Sequence, residues 1–151
     1  MKNTIIEIAN HEHYVSLEVA KLLKEAGFDW KCNLYFSELN VSKEAGIFDA
    51  TTNKIYGVFD STISGIGNPT EDDILRPTLD IAQRWLREVK DIDVYIFPTT
   101  NNKRRCVYEW GIKTFGRTLW VEGQPDTTQY DTYEETQEAG IKKALEIILE
   151  L

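Results

Sequence analysis

Three stretches of the chain place apolar residues three and four positions apart, which is the spacing of an amphipathic helix. They follow Ser16, Thr78 and Thr132, and Ser and Thr are residues that cap helix N-termini. Glu135 would complete a capping box with Thr132, and Gly140 within the third stretch indicates close approach to a sheet. The stripes predicted to be buried are Val15, Val19, Leu22, Leu23 and Ala26; Leu79, Ile81, Ala82, Trp85, Leu86 and Val89; and Tyr133, Gly140, Ile141, Ala144, Leu145 and Ile148.

Strand patterns follow each of the first two predicted helices. Consecutive strands joined by short turns must run antiparallel, which excludes a doubly wound nucleotide-binding fold. We therefore expect an α+β fold in which three helices pack on a largely antiparallel sheet of about five strands, in the order α-β-β-(loop)-α-β-β-β-α. The predicted strands are Lys31–Ser37, Lys54–Phe59, Asp93–Phe97, Cys106–Phe115 and Arg117–Val121, with a weaker candidate at Thr4–Ile8.

The first two helices carry a similar signature. Ser-Leu-Glu-Val-Ala at 16–20 is echoed by Thr-Leu-Asp-Ile-Ala at 78–82, and each copy runs into a Leu-(Lys/Arg)-Glu stretch. Two explanations stay open: a duplicated supersecondary unit, or two amphipathic helices that share favourable residues. The 151 residues are of single-domain size, so we expect one domain over 1–151, composed in the first case of two related halves. The 60–76 segment between them, with its Gly, Pro and acidic residues, is predicted to be an exposed connection.

Alternation along the strands predicts an aromatic surface. If Val94 and Ile96 face the helices, Tyr95 and Phe97 point to the other side of the sheet, and Trp120 joins them if its neighbours point inward. The N-terminal half covers these rings, or they form a patch for self-association or for a partner, because Trp and Tyr are favoured at such contacts.

Charge is distributed unevenly within the net −8. From Glu122 to Leu151 there are eight acidic and two basic residues, whereas 103–117 holds five basic residues and one acidic residue. The two segments neutralise each other across a solvated surface, or the Lys103, Arg104 and Arg105 loop meets an anionic partner. A subsidiary hypothesis is that the acidic segment mimics nucleic acid to block another protein.

Candidate catalytic and metal-binding chemistry is sparse. His11 and His13 lie two residues apart, but a metal site needs further ligands, and no catalytic Ser or Cys comes with a base at a recognisable spacing. We expect no catalytic residues, no metal and no cofactor. Without a secretion signal or a membrane-spanning stretch, the expectation is a cytoplasmic protein with no membrane partner, in which Cys32 and Cys106 are reduced and buried.

Three blocks of the chain, Leu17–Phe28, Arg76–Val94 and Tyr130–Leu145, carry a family resemblance. They are similar to a group of small uncharacterised proteins common in gut anaerobes and their phages. The resemblance covers about half of the chain and brings no activity and no functional residues. It implies a phage or mobile-element setting, and with it a role in interaction with the host.

These observations favour a small non-enzymatic binding protein of phage or prophage origin, whose partner is a protein, including a second copy of the chain. Its predicted contact residues are Tyr95, Phe97, Trp120, Lys103, Arg104 and Arg105. One alternative is nucleic-acid binding, because the order from residue 77 to 151 is that of a double-stranded RNA-binding domain. Asp131, Glu134 and Glu135 at the start of the last helix oppose it. The other alternative, a small enzyme, predicts a concave pocket that gathers His11 or His13 with several acids.

Overall fold

The computed structural model describes residues 13–114 and 128–150. Three helices lie in this part of the chain: α1 (Leu17–Glu25), α2 (Leu79–Val89) and α3 (Tyr133–Glu150). The chain divides into two compact units. Residues 16–77 form one, here the four-strand unit, and residues 13–15, 78–114 and 128–150 belong to the other, the hairpin unit. The strands are β1 (Leu34–Leu39), β2 (Ile47–Asp49), β3 (Lys54–Asp60), β4 (Ile74–Leu75), β5 (Ile92–Thr100) and β6 (Cys106–Thr114).

The four-strand unit is an antiparallel sheet in the order β2-β3-β1-β4, with α1 in contact with β4. The central pair, β1 and β3, is in register from Leu34 opposite Asp60 to Leu39 opposite Ile55. Its buried apolar residues come from the helix, the central strands and β4. They are Val19, Ala20, Leu23, Ala26, Phe28, Tyr35, Phe36, Tyr56 and Ile74.

Local sequence signals account for both ends of α1. The Ser16 hydroxyl accepts a hydrogen bond from the Val19 amide at 3.3 Å, as an N-cap does. At the other end Gly27 has a φ of 98°, a left-handed conformation that glycine adopts without steric cost. The Phe28 amide then donates to the Leu23 carbonyl at 2.9 Å, which gives the helix a Schellman end. The predicted start and stop of this helix are confirmed.

The hairpin unit joins β5 and β6 in register from Ile92 opposite Thr114 to Thr100 opposite Cys106. Both α2 and α3 contact β5, and α3 also contacts β6. A Cβ built on Gly140 would lie 2.7 Å from Val94 Cγ1 and 3.1 Å from Trp110 Cβ. The predicted close approach of this glycine to a sheet is therefore confirmed. The buried apolar residues of the unit are Val15, Leu79, Ala82, Trp85, Leu86, Ile92, Val94, Val107, Trp110, Ile112, Ile141, Ala144 and Leu145.

The α+β class, the three helices and the antiparallel pairing are as predicted, but the strand arrangement is not. The described residues form two sheets, of four and two strands, instead of one sheet of about five. β2 and β4 were not predicted, because strands of three and two residues are too short to show alternation. β4 also lies inside the segment 60–76 that was predicted to be only a connection. The predicted strands at 4–8 and 117–121 lie outside the described residues.

Parts of the predicted helix stripes are wrong. Val89 and Tyr133 are 48% and 41% exposed. Thr136 and Gln137 are buried instead, at 0% and 2% exposure. Burial of these polar side chains is tolerated because their donors are paired: the Thr136 hydroxyl, for example, donates to the Thr132 carbonyl at 2.8 Å. Apolar spacing alone does not reveal such hydrogen-bonded positions.

Candidate functional site

The predicted basic loop is the tip of the β5–β6 hairpin, and its backbone is held by Asn101. The Asn101 side-chain oxygen accepts hydrogen bonds from the amides of Lys103 at 2.9 Å and Arg105 at 3.0 Å. Its backbone amide donates to the Arg105 carbonyl, and its carbonyl accepts from Arg104. Arg104 adopts a φ of 59°, which the turn requires. The tip is therefore a defined turn with four hydrogen bonds on one residue.

All three cationic side chains of the tip are exposed. None of them forms an ion pair with a carboxylate in the described ranges 13–114 and 128–150. On a chain with a net charge of −8, Lys103, Arg104 and Arg105 form a compact positive patch. We therefore see no ion pair, among the described residues, by which acidic neighbours would neutralise this loop.

The predicted aromatic face is partly present. Tyr95 and Phe97 lie on one face of β5 with ring centroids 6.0 Å apart and an interplanar angle of 30°. Opposite Tyr95 stands Gly111, and a Cβ there would overlap the tyrosine ring, so the glycine makes room for it. Both rings are half-buried. Trp120 lies outside the described residues.

The aromatic pair and the basic tip belong to the same hairpin. Phe97 is three residues before Thr100, where β5 ends, which corresponds to roughly 10 Å of strand. Thr99 follows Phe97 on the same face and is paired with Val107, which is only 4% exposed. A buried valine therefore lies on this face between the half-buried rings and the cations.

Cys106 begins β6 directly after the tip, and its thiol is exposed and free. The expectation that both cysteines are buried is wrong here, because a residue at the end of a hairpin has fewer neighbours than one in mid-strand. Cys32 is also a free thiol but is half-buried, and burial raises its pKa. The thiol next to the basic tip is therefore the more accessible of the two.

A second candidate site, the acceptor cleft, lies at the start of two helices in the hairpin unit. Its volume is about 300 Å³, and Thr78, Leu79 and Tyr133 form part of its wall. The other four lining residues carry ionisable or amide side chains: His13, Asp80, Glu134 and Gln137. His13 Nε2 lies 3.6 Å from Glu134 Oε1, with both side chains about half exposed.

Local structure explains why these groups meet. The His13 carbonyl accepts a hydrogen bond from the Leu79 amide at 2.8 Å, which fixes the residue beside the first turn of α2. Asp80 lies in that first turn, after the N-cap Thr78, whose hydroxyl oxygen accepts a hydrogen bond from the Ile81 amide. Glu134 follows the equivalent cap of α3, where Thr132 accepts from the Glu135 amide. Carboxylates near helix N-termini are favourable because the helix dipole is positive there.

The sequence pattern does not reveal this cleft as a binding site, although the enzyme alternative predicted a concave pocket that gathers His11 or His13 with several acids. The sequence shows only that an acidic residue stands two positions after each of two N-cap residues: Asp80 after Thr78, and Glu134 after Thr132. Nothing in the order of residues indicates that the two first turns converge on His13. His11 lies outside the described residues.

A second cavity, of about 590 Å³, opens in the four-strand unit beside Phe28, Trp30, Cys32 and Pro69. One wall is held by Lys24, whose ammonium group donates to the carbonyls of Glu71 at 2.7 Å and Asp73 at 2.9 Å. The lining of this cavity mixes apolar and polar side chains, and its polar groups alone do not indicate a particular class of ligand.

Within residues 13–114 and 128–150, no cluster of three or more His, Cys, Asp or Glu side chains is arranged to hold a metal ion. No helix among the described residues has the length and apolar character needed to cross a membrane. Comparison of the chain with protein-family models, curated proteins and solved structures finds no match.

Proposed function

We propose that this protein is a non-enzymatic binding protein and that the basic tip of the β5–β6 hairpin contacts an acidic surface on a partner protein. The observation that carries the proposal is the turn on Asn101, which holds three exposed cations without a described carboxylate beside them. Arginine side chains pair carboxylates in two-point geometry, so a defined turn limits the orientation in which a partner can bind.

Charge supports the choice of an acidic protein as the partner. A positive patch on a chain of net −8 orients an approaching acidic surface toward the tip, while the remaining surface repels it. The stacked Tyr95 and Phe97 rings on the same hairpin are of the residue type that anchors protein interfaces. The phage or prophage setting, and a host protein as the partner, rest on the family resemblance alone.

The exposed Cys106 thiol allows a direct test, because it can carry a thiol-reactive photo-crosslinker next to the tip. Labelled protein is incubated with a lysate of candidate host cells, irradiated, and the crosslinked proteins are identified by mass spectrometry. We expect one acidic protein to be captured at low salt and lost as salt rises, since exposed charges are screened. The Cys106→Ser variant, treated in the same way, shows how much capture comes from label attached at other positions such as Cys32.

Variants separate the charge of the tip from its shape. Arg104→Glu with Arg105→Glu should abolish capture, and Asn101→Ala, which keeps the charges but removes the side-chain bonds of the turn, should reduce it several-fold. Arg84→Glu with Arg87→Glu on α2 makes the same change in net charge on another exposed surface and should leave capture intact. Equal capture by all three variants would refute the proposal, and recovery of RNA in place of protein would favour the nucleic-acid alternative.

A further inference from the structure

The cavity of the four-strand unit, at about 590 Å³, is larger than the acceptor cleft. Its volume lies well inside the range of small-molecule sites, which is about 300 to 1,000 Å³. Residues 28–32, which follow the end of α1, form one side, and residues between 68 and 73, in the loop before β4, form the other. All of the lining residues belong to this one unit.

The loop on the second side is held by side chains from outside it. The Tyr35 hydroxyl of β1 donates to the Gly67 carbonyl at 3.2 Å. The Lys24 ammonium group of α1 donates to the carbonyls of Glu71 and Asp73. Most of the loop is exposed, so these hydrogen bonds, more than burial, fix its position. Because this wall is already fixed, a ligand does not have to spend binding energy on ordering it.

The first side supplies an aromatic surface that is poorly solvated. Phe28 is 7% exposed and Trp30 is half-buried, and both line the cavity. Cys32 on the same side is a half-buried thiol, and burial raises its pKa more than a hydrogen bond with the Arg76 backbone lowers it. The space around this thiol therefore disfavours a negative charge. Pro69 adds apolar surface from the loop.

The charged side chains of the lining nearly balance each other. Two lysines and three acidic residues leave a net charge of −1, and they are Lys24, Lys31, Asp29, Glu71 and Asp73. Lys24 is bonded to the loop, and Asp73 Oδ2 accepts from the Thr70 amide at 2.8 Å and from its hydroxyl at 3.3 Å. A neutral ligand suits such a lining, because it enters without the cost of burying an unpaired charge.

Ser61 and Thr70 bring hydroxyl groups to the cavity, and hydroxyls both donate and accept hydrogen bonds. A cavity that holds only water is expected to have mainly polar walls, whereas apolar and aromatic walls with a few polar groups are typical of small-molecule sites. We propose that the cavity of the four-strand unit binds a small neutral aromatic molecule, with Phe28, Trp30 and Pro69 as its apolar contacts.

The probe is indole, a neutral aromatic with one N–H donor, titrated into the full chain. Amide shifts of residues 28–32 and 68–73 in nuclear magnetic resonance spectra should saturate, with a Kd in the millimolar range. Cyclohexanol, a neutral ring without aromatic character, should bind about tenfold more weakly. Tryptamine and indole-3-acetate, which carry a positive and a negative charge, should bind no more tightly than indole. Equal binding of cyclohexanol, tighter binding of a charged analogue, or absence of saturable binding would overturn the proposal.

Reaction at Cys32 checks the location of the bound probe. The chain has two cysteines, so in Cys106→Ser the remaining thiol is the one that lines the cavity. Its rate of alkylation by N-ethylmaleimide should fall in proportion to the fraction of protein occupied by indole. The rate at Cys106 in the Cys32→Ser variant should not change, which controls for reaction of indole with the reagent. An unchanged rate at Cys32 under saturating indole would overturn the proposal.

Two pairs of variants test the contacts. Trp30→Ala should raise the Kd for indole about tenfold, which corresponds to about 1.4 kcal/mol. Phe48→Ala removes an exposed ring of the same unit that does not line the cavity, so its Kd should match that of the unaltered protein. Lys24→Gln removes the two hydrogen bonds to the loop and should raise the Kd several-fold, whereas Lys54→Gln makes the same charge change outside the cavity and should not. Equal affinity within either pair would overturn the proposal.

The hairpin tip provides a control between the two proposals. Arg104→Glu with Arg105→Glu should leave the Kd for indole unchanged, and Trp30→Ala should leave capture of the protein partner unchanged. Failure of one proposal is therefore distinguishable from failure of the other.

Discussion

The hairpin unit and the four-strand unit cover their sheets differently. In the described part of the hairpin unit, two helices pack on the two strands β5 and β6, and a glycine brings α3 against Val94 and Trp110. In the four-strand unit a single nine-residue helix, about 14 Å long, accompanies four strands. Large apolar side chains remain exposed mainly in the latter. The exposed ones among the described residues are Val41, Ile47, Phe48, Val58, Ile63 and Ile66 there, against Val89 and Tyr133 in the hairpin unit.

In the four-strand unit, polar contacts compensate for the limited helix coverage of the sheet. Asp49 accepts hydrogen bonds from the Lys21 ammonium group at 2.5 Å and from the hydroxyls of Thr51 and Thr52. Lys24 holds the loop at Glu71 and Asp73 through their carbonyls. The hairpin unit therefore depends on close apolar packing between its helices and strands, whereas the four-strand unit depends more on charged side chains that fix its loops.

Truncation of the packed core should have the largest effect. Leu86 on α2 is fully buried, so Leu86→Ala should lower the free energy of unfolding by about 2 to 5 kcal/mol. Val89 on the same helix is 48% exposed, and Val89→Ala should cost less than 1 kcal/mol. Urea unfolding of both variants measures the difference. Similar losses for the two would contradict the assignment of the buried face.

Filling the space at Gly140 should have a smaller effect. Gly140→Ala adds about 1 kcal/mol of helix propensity but forces a methyl group to within 2.7 Å of Val94 Cγ1, and overpacking of this kind costs about 1 to 3 kcal/mol. We expect a net loss of about 1 kcal/mol in urea unfolding. Introducing the same change into a Val94→Ala background removes the clashing methyl group, so the added methyl should then be neutral or stabilising. A net gain in the unaltered background would show that α3 does not approach the sheet this closely.

Loss of a charged contact in the four-strand unit should have the smallest effect and should depend on pH. The Lys21 ammonium group, with the Thr51 and Thr52 hydroxyls, holds the pKa of Asp49 well below its usual range. Because the folded-state pKa is lowered, the stabilisation is fully present above the unfolded pKa of about 3.9 and is lost as the pH falls toward the folded value. Because solvent screens this partly exposed pair, Asp49→Asn should cost about 0.5 kcal/mol at pH 7 and progressively less below pH 4.

Urea midpoints of the two proteins across this range provide the measurement. A Lys21→Gln variant, alone and combined with Asp49→Asn, isolates the coupling between the two side chains. If the difference between Asp49→Asn and the unaltered protein grows as the pH falls, the polar contacts of the four-strand unit do not stabilise it in the way described.

Much of the local structure was predictable from residue types. Caps at Ser16, Thr78 and Thr132 and the stop at Gly27 require only hydrogen bonds within a few residues, so local sequence contains the whole signal. Alternation along β5 likewise placed Tyr95 and Val94 on opposite faces. The division into two sheets was not predictable, because β2 and β4 are too short to show a period and exist only through pairing with distant strands.

The two candidate sites also differ in how far the sequence predicted them. The composition of the basic tip was visible in the sequence, since Lys103, Arg104 and Arg105 are consecutive, but its defined turn depends on which bonds Asn101 makes. The acceptor cleft depends still more on the fold. Gln137 and Asp80 are 57 positions apart, and only the packing of α3 against α2 brings one amide to one carboxylate.

Residue types and their local order were enough to predict where the three helices begin, where α1 ends, which strand faces are apolar, and that positive charge is concentrated after β5. These properties arise from contacts between near neighbours and from side-chain type. Long-range packing is needed to explain why the described strands separate into two sheets, why Val89 is exposed while Gln137 is buried, and why His13, Asp80 and Glu134 line one cleft. Each of these depends on contacts between residues far apart in the chain, which hydrophobic periodicity does not encode.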